Sequence, residues 1–227
     1  MSLDKHGFVS SLEETYLAHQ NLLRAPEMAA YMKNQFSFFG IDSSTRKTLQ
    51  KPWISTFKTI ESFQERWRII QQLLNREQRE FHYTAVDCIN SLHKKYYSQK
   101  DAHEIQQMLL THTWWDTVDA IATNYLGAWA NLFPQEATDL FQKWQKQDNF
   151  WLHRCCLIFQ LKYKQNTDIQ LLEYFIVQFQ SNKEFFIQKA IGWALREVSK
   201  HNPKEVERII LNHSLQGLAK REASKYL

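Results

Sequence analysis

The sequence predicts an all-α fold, and three of its features support this prediction. Only 5 Gly and 4 Pro occur among 227 residues, whereas a β-sandwich or barrel needs many turn residues. Apolar residues recur at helical spacing along almost the whole chain. Pairs of aromatic residues also repeat at a nearly constant interval, which is typical of stacked helix pairs. A chain of this length that is 44% hydrophobic can bury one sizeable core or one short repeat array.

Start signals and periodicity place the helices in order along the chain. Ser43-Ser44-Thr45 precedes one helix, and Asn202-Pro203 opens another, with Pro at the first helical position. Residues 36–42 are predicted to form a loop in which Gly40 is the turn residue. The predicted helices are 8–23, 27–35, 43–50, 60–75, 78–93, 101–111, 114–125, 135–146, 150–162, 168–180, 184–200, 203–213 and 217–226. We expect residues 1–227 to form a single domain.

An aromatic pair recurs at the start of successive helices in the second half of the chain. The pairs are Trp114-Trp115, Phe150-Trp151 and Phe185-Phe186, and their second members lie 36 and 35 residues apart. A weaker copy begins at Phe81, which is 33 residues before Trp114. A second helix lies between successive copies, so the pattern predicts an α-solenoid of HEAT-like repeats. The alternative is a helix bundle without repeats, in which the aromatic pairs recur by chance.

Composition excludes several classes of protein. The net charge of +4 and the pI near 8.8 permit an anionic partner such as nucleic acid without requiring one. The three cysteines have no metal-ligand spacing, which favours reduced thiols in a cytoplasmic protein. The N-terminal residues lack the apolar segment of a signal peptide, and no apolar run is long enough to span a membrane. No nucleotide-binding loop is present, so we expect no cofactor and no metal.

Four residues of the repeat helices fall on one helix face. When the second aromatic residue of each pair is counted as position zero, Trp115 lies at zero, Arg154 at three, Asp119 at four and Trp193 at seven. These positions share a face of an α-helix, so helices stacked in register would present all four side chains to one surface. A carboxylate beside aromatic rings suits a cationic ligand, because both attract positive charge.

Structural interpretations of the same four residues remain open. A tryptophan at helical spacing is often part of the core, as we expect for Trp114 and Trp151. Asp119 could be an ordinary solvated residue, or it could form a structural ion pair with Arg154.

Basic residues mark where a phosphate backbone could lie. The start of one predicted helix offers backbone N–H groups and cationic side chains to a phosphate. Its residues are Ser43, Ser44, Arg46 and Lys47. Lys162 lies beyond Arg154 on the chain, and Arg196 follows Trp193 by one turn. Most such charges are simply solvated, and Arg46 and Arg196 are the strongest candidates for phosphate contacts.

Several stretches resemble the AlkD-like DNA alkylation repair glycosylases, a family of HEAT-like repeat proteins. They occur in the family's order between about residues 26 and 200, and WWDxVD together with IGWALRE forms the most specific combination. One departure is His153, where the family more often has Gln or Arg, and a second is Lys47, where Arg is frequent. The matching stretches are residues 28–36 with Gly40-Ile41, residues 114–119, residues 151–154 with 159–162, and residues 189–197.

The resemblance implies both a fold and a reaction. The fold would be a right-handed α-solenoid of HEAT-like helix pairs with a concave DNA-binding face. The reaction would be excision of positively charged N3- and N7-alkylated purines from duplex DNA, a step of base excision repair. Asp119 matches the catalytic carboxylate, Trp115 and Trp193 match the pocket tryptophans, Arg154 matches the active-site arginine, and Tyr31 matches an aromatic residue of the cleft.

These assignments lead to further expectations. We expect an ionised Asp119 to stabilise the sugar cation and position water, and we expect Arg154 to hold a phosphate. The partner would be double-stranded DNA with alkylated purines, bound by a monomer away from any membrane. Two alternatives remain: a non-catalytic helical-repeat scaffold that binds DNA or protein, and a family member that binds DNA junctions or bubbles without excision. All four site residues are present, which disfavours the second.

Overall fold

A computed structural model describes residues 7–227, and helices make up most of this range. Within it, the β pairing is limited to an isolated parallel bridge between Ser37 and Gln78. The all-α prediction is therefore confirmed. The first residues of the N-terminal stretch, for which we expect no signal peptide, lie outside the described range. The described chain divides into two compact units that meet in sequence between His112 and Thr113. The single-domain assignment stays a prediction.

The first unit holds seven α-helices in its described part. Its interior contains fully buried aromatic side chains, among them Tyr16, Phe57 and Phe81. The helices are α1 (Phe8–Ala18), α2 (Arg24–Tyr31), α3 (Ser43–Leu49), α4 (Lys51–Phe57), α5 (Phe63–Leu74), α6 (Arg79–Asn90) and α7 (Asp101–Leu110).

The loop between α2 and α3 confirms the predicted turn and shows what holds it. Gly40 has a φ of 83°, and a Cβ there would lie 2.1 Å from the carbonyl oxygen of Asn21. The fully buried carboxylate of Glu80 accepts hydrogen bonds from the backbone N–H groups of Phe39, Gly40 and Ile41. A buried carboxylate is stable only with such partners, so Glu80 and this loop stabilise each other.

The second unit contains the repeated helix pairs. Its helices are α8 (Trp115–Ala120), α9 (Gly127–Leu132), α10 (Pro134–Trp144), α11 (Phe150–Ile158), α12 (Ile169–Phe179), α13 (Phe185–Ser199), α14 (Pro203–Asn212) and α15 (Gly217–Ala223). A π-helical segment, Ile121–Leu126, joins α8 to α9 without a break.

Helix contacts in this unit follow the predicted pairing. Helices α10, α12 and α14 pack on α9, α11 and α13, respectively, and α11 lies between α8 and α13. The aromatic pairs meet at the starts of these helices, where the Trp151 ring lies 4.7 Å from the Phe186 ring and 6.0 Å from the Trp114 ring. The aromatic period therefore corresponds to stacked helix pairs. Trp151 is buried as predicted, whereas Trp114 is only partly buried.

Two helices were not predicted. Helix α4 begins beside Pro52, which the first turn tolerates because the N–H groups there have no intrahelical partner. Helix α9 extends past the predicted end at residue 125, although Gly127 weakens helices. A Cβ on Gly127 would lie 2.4 Å from the Phe159 carbonyl oxygen, so glycine lets this helix approach the end of α11 closely. The predicted helix 8–23 ends early, at Ala18.

Gly192 brings the last α-helix onto the helix that carries Trp193. A Cβ on Gly192 would lie 2.5 Å from Glu222 Cβ and 2.8 Å from the Ala219 carbonyl oxygen, both on α15. Helices α13 and α15 therefore pack with their backbones in close contact.

Replacing Gly192 by Ala should destabilise the protein. The added methyl group must displace α15, and overpacking of this kind costs about 1–3 kcal/mol, which exceeds the gain in helix propensity of roughly 1 kcal/mol. Denaturant unfolding measures the change, and Gly7→Ala is the control because nothing lies within 4 Å of its Cβ. Equal stability of Gly192→Ala and the wild type would contradict this packing.

Candidate functional site

Asp119 lies at the end of a short α-helical segment that continues as a π-helix. It follows Trp115 by four residues on α8, so both side chains share a helix face. The π-helical segment begins at Ile121, and the Thr123 hydroxyl donates a hydrogen bond to the Asp119 carbonyl oxygen at 2.8 Å. Single π-helical turns are rare and often occur at functional sites.

Arg154 holds the Asp119 carboxylate from the neighbouring helix. The side chain of Asn149 caps α11 by accepting hydrogen bonds from the N–H groups of Trp151 and Leu152, which places Arg154 in the second turn. Arg154 Nε donates to Asp119 Oδ1 at 2.7 Å, and Nη2 donates to Oδ2 at 2.8 Å. This two-point pairing fixes the plane of the carboxylate.

Helix α13 completes the site on the other side of Arg154. Arg154 Nη1 donates to the Phe186 carbonyl oxygen at 2.5 Å. The guanidinium carbon lies 6.0 Å from the centre of the Trp193 ring and 5.9 Å from the centre of the Phe186 ring. The guanidinium therefore connects the carboxylate of α8 with two aromatic residues of α13.

The two side chains of the ion pair differ in their exposure to solvent. The Arg154 side chain is 3% exposed, whereas the Asp119 side chain is 17% exposed. Trp115 and Trp193 are also partly exposed. The surface at this point therefore presents a carboxylate edge near indole rings, while the guanidinium lies beneath it.

The environment of Asp119 shifts its acidity in two directions. Burial raises the pKa of Asp119 above its ordinary value, and the hydrogen bonds and charge of Arg154 oppose this rise without cancelling it. Smaller effects come from Asp116, which raises the pKa, and from Lys189, which lowers it. The sequence predicts the effect of Arg154, but it does not reveal the larger effect of burial.

Three of the four residues predicted to share one face, Asp119, Arg154 and Trp193, lie together, and Trp115 precedes Asp119 by one turn of α8, but Arg154 is placed differently from the prediction. We expected it to hold a phosphate. In the structure its Nε, Nη1 and Nη2 atoms all donate to protein oxygens, and the side chain is almost inaccessible. The ion pair with Asp119, left open as a structural alternative, is present.

Two other residues of this unit that were predicted to contact DNA also form contacts within the protein. Arg196 Nη1 lies 2.6 Å from Glu222 Oε2, in an ion pair that joins α13 to α15. Lys162 is exposed, and its Nζ donates to Asn124 Oδ1 within the π-helical segment.

The predicted residues of the first unit fall into two groups. Tyr31 is 70% exposed, and Ser43, Ser44 and Lys47 are exposed at the surface of α3. Arg46 is buried, and its Nη1 donates hydrogen bonds to Gln50 Oε1 and Asp87 Oδ2, each at 2.8 Å.

The sequence predicts that the backbone N–H groups at the start of α3 are open to a phosphate. In the structure, two of them are already bonded within the protein. The Asp42 carboxylate caps this helix by accepting hydrogen bonds from Ser44 N and Thr45 N, each at 3.0 Å. The cap is therefore Asp42 rather than the Ser-Ser-Thr segment.

Three residues near the site were not singled out by the sequence. Phe186 served only to count the repeat, yet its carbonyl oxygen orients Arg154. Lys189 precedes Trp193 by one helical turn, a spacing that could have revealed it. Glu222 lies far along the chain, and nothing in the sequence connects it to Arg196. Among residues 7–227, no group of three or more His, Cys, Asp and Glu side chains is arranged to hold a metal ion.

Comparison with known proteins decides the family. Residues 12–227 match the family described as DNA alkylation repair enzyme. The chain belongs to this family. The resemblance read from WWDxVD and IGWALRE is thereby confirmed. Membership assigns this DNA alkylation repair protein a role in DNA repair and implies that it binds DNA.

A solved structure of the same family supports the fold. It is described as a predicted DNA alkylation repair enzyme from Enterococcus faecalis, and it shares 35% sequence identity with this chain at a TM-score of 0.85. The match covers 92% of this chain and 96% of that chain. No protein of curated function matches the sequence significantly. Over residues 7–227, every helix is too short or too polar to cross a membrane.

Proposed function

We propose that this DNA alkylation repair protein is a glycosylase that hydrolyses the N-glycosidic bond of positively charged N3- and N7-alkylated purines in double-stranded DNA. One observation carries the proposal. Asp119 presents a carboxylate that Arg154 holds from below, on a face shared with Trp115, and the Trp193 ring centre lies 6.0 Å from the guanidinium carbon. This arrangement suits a positively charged reaction centre.

The substrate supplies much of the driving force. Alkylation at N3 or N7 gives the purine a formal positive charge, so the base leaves as a neutral molecule. The C1′–N bond breaks with its electron pair going to the base, and the deoxyribose develops oxocarbenium character. Water then bonds to C1′ and loses a proton. The protein must stabilise the sugar cation and orient this water, and it need not protonate the base.

Asp119 is the residue suited to both tasks. In this proposal its negative charge faces the positive charge that develops on the sugar, and electrostatic stabilisation of this kind often contributes more to catalysis than any other effect. A carboxylate oxygen can also accept the proton of the attacking water. The faces of Trp115 and Trp193 would favour the cation through their ring electrons.

Arg154 acts through Asp119 in this proposal. Its two hydrogen bonds to the carboxylate keep Asp119 in one orientation, and its bond to Phe186 O keeps the guanidinium in place. Arg154 is therefore a positioning residue, and the DNA backbone would be bound elsewhere. Exposed or partly exposed candidates for that contact are Tyr31, Ser43, Lys47, Lys162 and Arg196.

The competing function is a non-catalytic scaffold that binds DNA. The observation in its favour is that both oxygens of Asp119 bond to Arg154, as in a structural ion pair. Incubation with duplex DNA containing N7-methylguanine, followed by alkali to cut abasic sites, separates the two. Strand cleavage that depends on the protein supports the glycosylase, and binding without cleavage supports the scaffold.

The rate of excision should fall in acid, because the proposed mechanism needs an ionised Asp119. Burial raises the pKa of this carboxyl, so the midpoint of the fall should lie above the ordinary aspartate value of 3.8. Arg154→Gln removes an effect that lowers the pKa and should move the midpoint to higher pH. Asp116→Asn removes a charge that raises the pKa and should move it to lower pH. Single-turnover rates measured against pH test both shifts, and movement of both midpoints in the same direction would contradict this assignment.

A further inference from the structure

We infer that Lys189 binds the DNA phosphate next to the reacting nucleotide, the role that the sequence suggested for Arg154. This inference rests on the proposed function and assigns one contact within it. Three observations support it: the position of Lys189 on α13, the charges around it, and the burial of Arg154.

The position of Lys189 follows from helical geometry. Phe185, Lys189 and Trp193 succeed one another at intervals of four residues, so they form one ridge along α13. Lys189 is exposed, and its Nζ lies 5.6 Å from the centre of the exposed Phe185 ring. The ammonium group therefore lies at the surface, one helical turn from Trp193.

The carboxylates near Lys189 are bonded to other cations. Gly192 follows Lys189 by three residues on α13 and packs against Glu222, and the charge of Lys189 lowers the pKa of both Glu222 and Asp119. Asp119 is paired with Arg154, and Glu222 is paired with Arg196 and Lys225. Among residues 7–227, no carboxylate oxygen forms an ion pair with Lys189 Nζ within 4.0 Å. The positive charge of Lys189 is therefore available to an outside anion.

The nearby arginines are less suited to this contact. Arg154 would have to leave Asp119 and Phe186 O, and its 3% exposed side chain lies beneath the surface. Arg196 would have to leave Glu222. A lysine on a flexible stem binds phosphate as a point charge, without the fixed geometry that a guanidinium requires. A phosphate at Lys189 would place the adjoining sugar near Asp119.

The salt dependence of DNA binding tests the contact. The wild-type background keeps Arg154 paired with Asp119. In it, the slope of log Kd against log salt is measured on undamaged duplexes and on duplexes in which the N7-methylguanine nucleotide carries a 2′-fluoro group that slows hydrolysis. Lys189→Gln should flatten this slope by about 0.9, the value for one phosphate contact, and Lys189→Arg should restore it. Lys204→Gln, which removes an exposed lysine of α14, is the comparison and should leave the slope unchanged. An unchanged slope in Lys189→Gln would overturn the inference.

Neutral phosphate substitutions locate the contact. Replacing single phosphates beside the lesion by methylphosphonate should weaken binding, and at the phosphate bound by Lys189 the effect should vanish in Lys189→Gln. Loss of the effect only at a distant phosphate would overturn the inference. These binding measurements are independent of excision. Absence of base release by the wild type would reject the glycosylase proposal, whereas an unchanged slope or a distant contact would reject the role of Lys189.

Discussion

Replacing Asp119 by Asn should remove most base excision and leave DNA binding largely intact. Asn preserves the shape of the side chain but removes the charge that would stabilise the sugar cation. It also removes the oxygen able to accept a proton from water. Loss of one strong electrostatic contact to a transition state lowers rates on the order of 10²–10³-fold, and loss of the base adds to this. Single-turnover release of N7-methylguanine measures the rate, and wild-type activity in the variant would disprove the catalytic assignment.

The control for this variant concerns folding. Breaking a buried ion pair costs about 3–5 kcal/mol, because the remaining charge stays buried, although Asn keeps one acceptor for Arg154. The double variant Asp119→Asn with Arg154→Gln replaces the ion pair by two amides and leaves no buried charge. We expect it to unfold near the wild-type temperature and to be inactive. If it is folded and active, Asp119 has only a structural role.

Excision should be restricted to cationic bases. The protein should release N7-methylguanine and N3-methyladenine, but not uracil or ethenoadenine, because a neutral base must be protonated before it leaves. Protonation by a general acid is typically worth 10²–10⁴-fold, and none of the four site residues supplies it. Asp119 is ionised when it accepts two hydrogen bonds from Arg154, and neither a guanidinium nor an indole N–H readily gives up its proton.

The sharpest comparison uses two bases of the same shape. The 7-deaza analogue of N7-methylguanine carries the same methyl group without the positive charge. It should be bound with similar affinity and released at least 10²-fold more slowly, which quantifies the contribution of the lesion charge. Comparable release of the two bases would mean that the protein holds a general acid outside the four residues. The mechanism would then be wrong, while the family assignment would stand.

Family membership and the helical-repeat fold could be recognised from short-range features of the sequence. Helix faces depend on spacings of three and four residues, and the repeat appears as aromatic pairs 35 and 36 residues apart. These spacings alone predicted a common face for Trp115, Asp119, Arg154 and Trp193. Helices α4 and α9 escaped prediction because Pro52 and Gly127 usually end or weaken helices. Pro52 is tolerated because it lies in the first turn of α4, whereas only the close approach of Phe159 explains Gly127.

The tertiary structure decided which of the predicted charges are available to DNA. The sequence left the pairing of Asp119 with Arg154 open as one alternative, and Arg196 and Glu222, 26 residues apart, share no pattern that reveals their pair. Pairing and burial depend on how helices pack, and they withdraw Arg46 and Arg154 from the surface while Lys189 stays exposed. The pKa of Asp119 depends on packing for the same reason, since burial contributes more to it than the neighbouring arginine does. Residue spacing along the chain determines the face on which a side chain lies, but desolvation and long-range pairing determine whether its charge can act.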